Sequence, residues 1–183
     1  MFEQIVLDTQ MTHEKPKKMI DFAIRLEHAH TLADIFEVVK EAVWKSETQS
    51  RGGLMLGLAN LGNHPGGFFG AFFTIGSNFI VMNKIPLLRI KETKPALYKP
   101  YAFHVLLHEY IHSLGYLNEE FVRQKVYEIS RSLFGKAHLV TRIAEDTNRF
   151  IPNLVYPDIS WKPDNMHIEL VEGFDRSSVS YIN

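Results

Sequence analysis

The chain has 183 residues, 45% hydrophobic and 22% charged, values of a globular protein with length for one substantial core. Its 20 basic and 21 acidic residues leave a formal net charge of -1, so no global basic field argues for nucleic acid or an anionic membrane. Cysteine is absent, which removes disulfides, thiolate metal knuckles and a thiol nucleophile together, and leaves histidine and carboxylate as the groups available to hold a metal.

One domain over residues 1–183 is therefore expected. The opening residues Met1-Phe2-Glu3-Gln4 lack the basic and then apolar pattern of a signal peptide. The most apolar stretch, Gly67 to Met82, is broken by glycines, Thr74, Ser77 and Asn78, and falls short of the roughly 20 apolar residues that span a bilayer. These features lead to the expectation of a cytoplasmic protein without a membrane segment.

Two amphipathic helices are predicted first. Met19, Phe22, Ala23 and Leu26 share a helical face; after Thr31, which with Asp34 makes a Thr-x-x-acid cap, Leu32, Ile35, Phe36, Val39 and Val43 repeat the period. Eight of the 11 glycines then fall between Gly52 and Gly76, a density that reads as turns and close backbone approach. No Gly-Lys-Ser/Thr follows and Gly-x-Gly-x-x-Gly is absent, which sets nucleotide binding aside.

From Phe68 to Asn83 the composition turns to Phe, Ile, Val and Thr around Gly76-Ser77, the pattern of two strands joined by a turn, the second running from Asn78 to Asn83. Pro86, Pro95 and Pro100 mark a connection that enters a helix near Pro100 and runs to Leu114, with Gly115 as its stop. Asn118 caps a further helix, Glu119 to about Phe134, which buries Val122, Val126, Ile129 and Leu133 and ends at Gly135.

The helix before Gly115 contains His108-Glu109-Tyr110-Ile111-His112. Residues four apart share a helical face, so His108 and His112 present two imidazoles one turn apart, the spacing of two ligands on one zinc. Glu109 lies about 100° away on the helix, where it is placed to act as general base on water beside the metal. Chance alone supplies such a motif in about three of a hundred chains of this composition. Here, though, it falls on a helix whose Phe103, Leu107, Ile111 and Leu114 form an apolar stripe, and buried polar groups need partners.

A catalytic zinc usually keeps a third protein ligand and one open position. Glu119 is the favoured third ligand, because the turn after Gly115 returns it toward His112; His138, beyond a helix about 22 Å long, is the alternative. The same turn delivers Glu120 beside Glu119, and Glu128 and Glu145 are weaker candidates. His104, one turn before His108, is read as a packed helix residue with a pocket role as its alternative. His13, His28, His30, His64 and His167 are read as surface or cap residues.

The five-residue motif resembles the active-site helix of the zincin metallopeptidases. The resemblance covers about 60 residues and implies an α+β fold: a small mixed sheet whose edge strand, here Asn78 to Asn83, lies above the active-site helix, together with packed helices. It also implies zinc, with His108 and His112 as ligands and Glu109 as base. His112-Ser113-Leu114-Gly115-Tyr116 resembles the metzincin branch, except that the third histidine's position holds Asn118. Glu119 opening the following helix resembles the gluzincin branch at a shorter separation. The same segment is similar to zinc-dependent endoribonucleases of rRNA maturation, whose motif has glycine where Glu109 stands. Met166 is an isolated match to a methionine turn.

The expected function is zinc-dependent hydrolysis of a peptide or protein substrate, with Tyr116 or His104 as candidates for stabilising the oxyanion. The alternatives are an endoribonuclease-like hydrolase, and a non-catalytic metal-binding or interaction domain.

Overall fold

A computed structural model describes residues 21–62, 70–150 and 165–176. Helix α1, Phe22–His28, starts where the Asp21 carboxylate accepts the amides of Ala23 and Ile24. Helix α2, Leu32–Glu47, starts with a full capping box: Thr31 Oγ1 accepts the Asp34 amide and Asp34 accepts the Thr31 amide. The apolar stripe read from the sequence, Leu32, Ile35, Phe36, Val39 and Val43, is buried along its whole length. Met19 lies outside the described residues.

The fold is α+β with a four-stranded mixed sheet. Strands β1, Met55–Ala59, β2, Ala71–Phe73, β3, Phe79–Asn83, and β4, Ile168–Leu170, stand in the order β2-β3-β1-β4. β1 and β3 are parallel, in register from Met55↔Phe79 to Ala59↔Asn83, and the two outer pairs are antiparallel. This corrects the expected edge strand: β3 is internal, with Ile80 to Asn83 buried, and among the described residues the edges are β2 and β4. The reason is β1, which pairs along the other side of β3 from within the glycine-rich stretch. Met-Leu-Gly-Leu-Ala carries too little β-branched or aromatic character to announce a strand. Gly57 within it suits the close packing, since a Cβ there would clash with Ile168 Cγ2 of β4 unless that side chain moved.

A second correction concerns the proline-marked connection. Residues Lys84–Thr93 form helix α3, capped by the Asn83 side chain on the Ile85 amide. Pro86 sits in its first turn, where a missing N–H forfeits no helical bond. A 3₁₀ turn at Pro95–Leu97 leads into α4, Tyr98–Ser113, which begins two residues before Pro100. Helices α5, Glu119–Phe134, α6, Leu139–Glu145, and α7, Thr147–Phe150, follow.

α4 is the central element, packed against α2, α5, α6 and β2. Tyr101, Phe103, Leu106, Leu107, Tyr110 and Ile111 are all buried on it, with Phe36 edge-on to Tyr110 at 5.4 Å and Phe134 edge-on to Phe103 at 5.0 Å. The carboxy-terminal described segment is tied across α2 and β1. Phe174 stacks on Phe36 at 4.0 Å, while buried Asp175 pairs with Lys40 and accepts the Leu54 amide at 2.8 Å. Among the described residues no helix is long and apolar enough to cross a membrane.

Candidate metal centre

The carboxyl end of α4 and the amino end of α5 meet because of a tight turn. Gly115, at φ 102, takes a conformation that L side chains rarely adopt, and its amide closes on the His112 carbonyl. Asn118 Oδ1 then accepts the Phe121 amide at 2.8 Å, so α5 begins at Glu119 and its first side chain falls over α4. The same bond engages Asn118 as a helix cap, so the position of a metzincin-type third histidine has a structural task here.

Two imidazole nitrogens and the two oxygens of one carboxylate converge. His108 Nε2 and His112 Nε2 are 3.1 Å apart, Glu119 Oε1 is 3.1 Å from His112 Nε2, and Glu119 Oε2 is 3.3 Å from His108 Nε2. A tetrahedral ion with bonds of about 2.0–2.1 Å has donor–donor edges of about 3.3 Å, so the spacing suits one ion. Among the described residues this is the group of histidines and acids that could hold a metal. Glu119 was the favoured third ligand in the sequence, and the structure brings it to the histidines.

Hydrogen bookkeeping points the same way. His112 Nδ1 lies 2.7 Å from the Tyr116 carbonyl, which can only accept, so the imidazole hydrogen is on Nδ1 and Nε2 of the neutral ring is a lone pair. That lone pair faces a carboxylate oxygen at 3.1 Å, a contact relieved only by an extra proton or a cation. Burial pushes the His108 imidazole below its ordinary range, against the pull of Glu119. Burial opposes ionisation of Glu119, yet the nearby His108, His112 and Arg123 together hold its carboxyl below the usual value.

Glu109 stands beside this group, 6% exposed. Burial first, and then the Glu119 charge, push its carboxyl up to about 8, while a hydrogen bond from the Phe73 amide works in the opposite direction. The sheet register explains that amide. Gly70 accepts from Asn83 and Thr74 donates to Phe79, so the alternation of the antiparallel ladder turns the backbone groups of Ala71 and Phe73 away from β3. The edge strand thus reaches Glu109 directly.

A cleft of about 520 Å³ opens over these residues. Its floor is α4, with Tyr101, His104, Val105, His108 and Glu109; Gly70 and Ala71 form one wall, and Glu119, Arg123, Glu145, Thr147 and Asn148 contribute to the rest. Burial, helped by the charge of His108, pushes His104 down to about 3, so it is a neutral imidazole at physiological pH.

The other candidates are placed elsewhere. His138 caps α6, its Nδ1 accepting the Val140 amide at 3.2 Å, with its ring 4.9 Å from that of Phe134. Glu120 is exposed outside the converging group, Glu128 is bonded to Gln124, and Glu145 lines the cleft without joining the three donors. The Tyr116 hydroxyl is engaged by Gln49, and its ring stacks on Phe121 at 5.2 Å; its contribution to the centre is its carbonyl. His28 bonds the Ile24 carbonyl, Met166 is exposed, and His13 and His64 lie outside the described residues. The Phe73 amide and the Thr147–Asn148 wall carried no sequence signal, since both act through position alone.

Against family models, curated proteins and solved structures, the chain has no match.

Proposed function

We propose that the chain is a zinc-dependent hydrolase of the zincin type that cleaves peptides or proteins. The observation that carries this reading is the convergence of His108, His112 and Glu119 at 3.1–3.3 Å, with buried Glu109 alongside, in an open cleft. Two imidazoles and one carboxylate, without thiolate, are a donor set used by catalytic zinc. The acid at the start of α5 favours the gluzincin-like arrangement over the metzincin-like one, whose third-histidine position is the helix cap Asn118.

The side of β2 turned away from β3 supports a peptide as substrate. The register turns the backbone groups of Ala71 and the Phe73 carbonyl away from β3 beside the site, and an extended chain can add along such a strand as a further strand, with the Phe73 amide kept by Glu109. Glu109 is the group that takes up and returns a proton. Its carboxyl is buried, oriented by the Phe73 amide, and brought near the neutral range by its surroundings. His112 is held in the metal-facing tautomer by Tyr116, and Glu119 supplies the negative charge. Zinc, when bound, supplies Lewis acidity and makes water acidic near neutral pH.

The test is elemental analysis together with cleavage of a casein-derived peptide mixture by wild type and Glu109→Gln. Wild type should carry about one zinc per chain and cleave. Glu109→Gln should keep the zinc and cleave at least about 10²-fold more slowly. Equal cleavage by the two proteins would remove Glu109 as base and overturn the mechanism.

A further inference from the structure

Beyond the metal ligands the cleft continues toward the amino-terminal half of α4, where His104 and Thr147 line it together. Thr147 Oγ1 is 2.9 Å from the Ile143 carbonyl and 3.4 Å from His104 Nε2. A threonine hydroxyl has one hydrogen, and the Ile143 carbonyl, which can only accept, takes it. Toward His104 the oxygen is therefore the acceptor, and the imidazole hydrogen sits on Nε2. Nδ1 is left as a buried lone pair with no partner among the described residues.

This tautomer leaves a donor that the protein hardly uses. At 3.4 Å the bond to Thr147 is well beyond the usual 2.9–3.0 Å for N–H···O, and a poorly satisfied donor in a cleft gains by exchanging to a better acceptor. One helical turn, about 5.4 Å, separates His104 from the metal ligand His108. An extended peptide advances about 3.3 Å per residue, so one laid along α4 in the cleft would set a residue at or next to the cleaved bond opposite His104. Asn148 adds a polar amide to this wall, and the Glu145 carboxylate on the same wall repels an anion.

We propose that His104 is a specificity-determining residue, whose Nε2–H donates to a neutral oxygen acceptor, an amide or hydroxyl oxygen, on the substrate side chain beside the scissile bond. The inference rests on the zinc hydrolase reading above and deepens it. An aliphatic side chain at this place would leave the imidazole with only its long bond to Thr147, and is disfavoured for that reason.

Two nearly isosteric probes test this on the zinc-loaded full chain: acetyl-asparagine hydroxamate and acetyl-leucine hydroxamate, with binding measured by calorimetry. Wild type should bind the asparagine probe about tenfold more tightly, the worth of one good hydrogen bond. His104→Leu, checked for zinc content and folding, should abolish the preference. Equal binding of the two probes by wild type, or a preference that survives His104→Leu, overturns the assignment and leaves the metal reading intact. If plain acetohydroxamate fails to bind zinc-loaded wild type as well, the open metal position is wrong and both readings fall. Should His104→Leu not fold, long-range ¹H–¹⁵N correlation spectra of wild type decide the underlying geometry. The Nε2–H tautomer is expected at neutral pH, and the Nδ1–H tautomer overturns the proposal.

Discussion

The Nδ1 atom of His112 is 2.7 Å from the carbonyl oxygen of Tyr116, four residues on, and that bond decides which ring nitrogen faces Glu119. It depends on the chain turning sharply at Gly115, whose φ of 102 a side chain would strain. Gly115→Ala should therefore move the Tyr116 carbonyl and weaken zinc binding by about 10- to 100-fold, the usual worth of a group that orients a metal-bound histidine. Competition with a chromophoric chelator measures this. Unchanged affinity in Gly115→Ala would show that the turn does not set the ring.

The grouping of donors ranks the candidate ligands. His108→Ala, His112→Ala and Glu119→Gln should each lower the zinc content sharply, while Glu120→Gln should leave it near wild type, because Glu120 lies outside the converging group. His138→Ala should also retain zinc and lose only a helix cap, at a cost of about 1 kcal/mol in stability. Loss of metal from His138→Ala alone, by elemental analysis, would contradict the arrangement.

The contact between β1 and β4 gives a prediction about stability. A Cβ on Gly57 would clash with Ile168 Cγ2, so Gly57→Ala should destabilise the fold by about 1–3 kcal/mol through overpacking. The double variant Gly57→Ala/Ile168→Ala, which removes the opposing methyl, should recover part of that loss. Denaturant midpoints of the three proteins provide the comparison, and an unchanged Gly57→Ala midpoint would mean that β4 does not press on Gly57.

Acid should weaken the join between α2 and the carboxy-terminal segment. The Arg176 guanidinium beside Asp34 holds its carboxyl well below the usual carboxylate range; burial opposes this, and the amides of His30 and Thr31 add to it. A carboxyl with a lower pKa folded than unfolded contributes stability above its unfolded value of about 4, and loses it as pH falls through the folded value. Thermal midpoints of wild type should exceed those of Asp34→Asn at pH 7, with the gap shrinking progressively below about pH 4. A gap that stays constant with pH would show that the carboxylate charge is not the source of the stabilisation.

Much of the site was legible because it is local. The pairing of His108 with His112 follows from helix geometry, and the helix follows from an apolar stripe bounded by Gly115. The Asn118 cap placed Glu119 at the first turn of α5 by short-range hydrogen bonding, so the turn and the candidate third ligand were readable together. The capping box of Thr31 and Asp34 is of the same kind.

What the residues alone determined is thus whatever is settled within one or two helical turns, where neighbours in sequence are neighbours in space. Tertiary structure decided the rest. Strand β1 earns its place through its pairing with β3 in the core rather than through composition, and by covering β3 it leaves β2 as one of the two outer strands among the described residues. The Phe73 amide reaches Glu109 only because that edge lies on α4. His104 meets Thr147 across a separation of 43 residues, and Lys40 meets Asp175 across 135. Such contacts depend on how whole elements pack, and no local pattern in the chain encodes them.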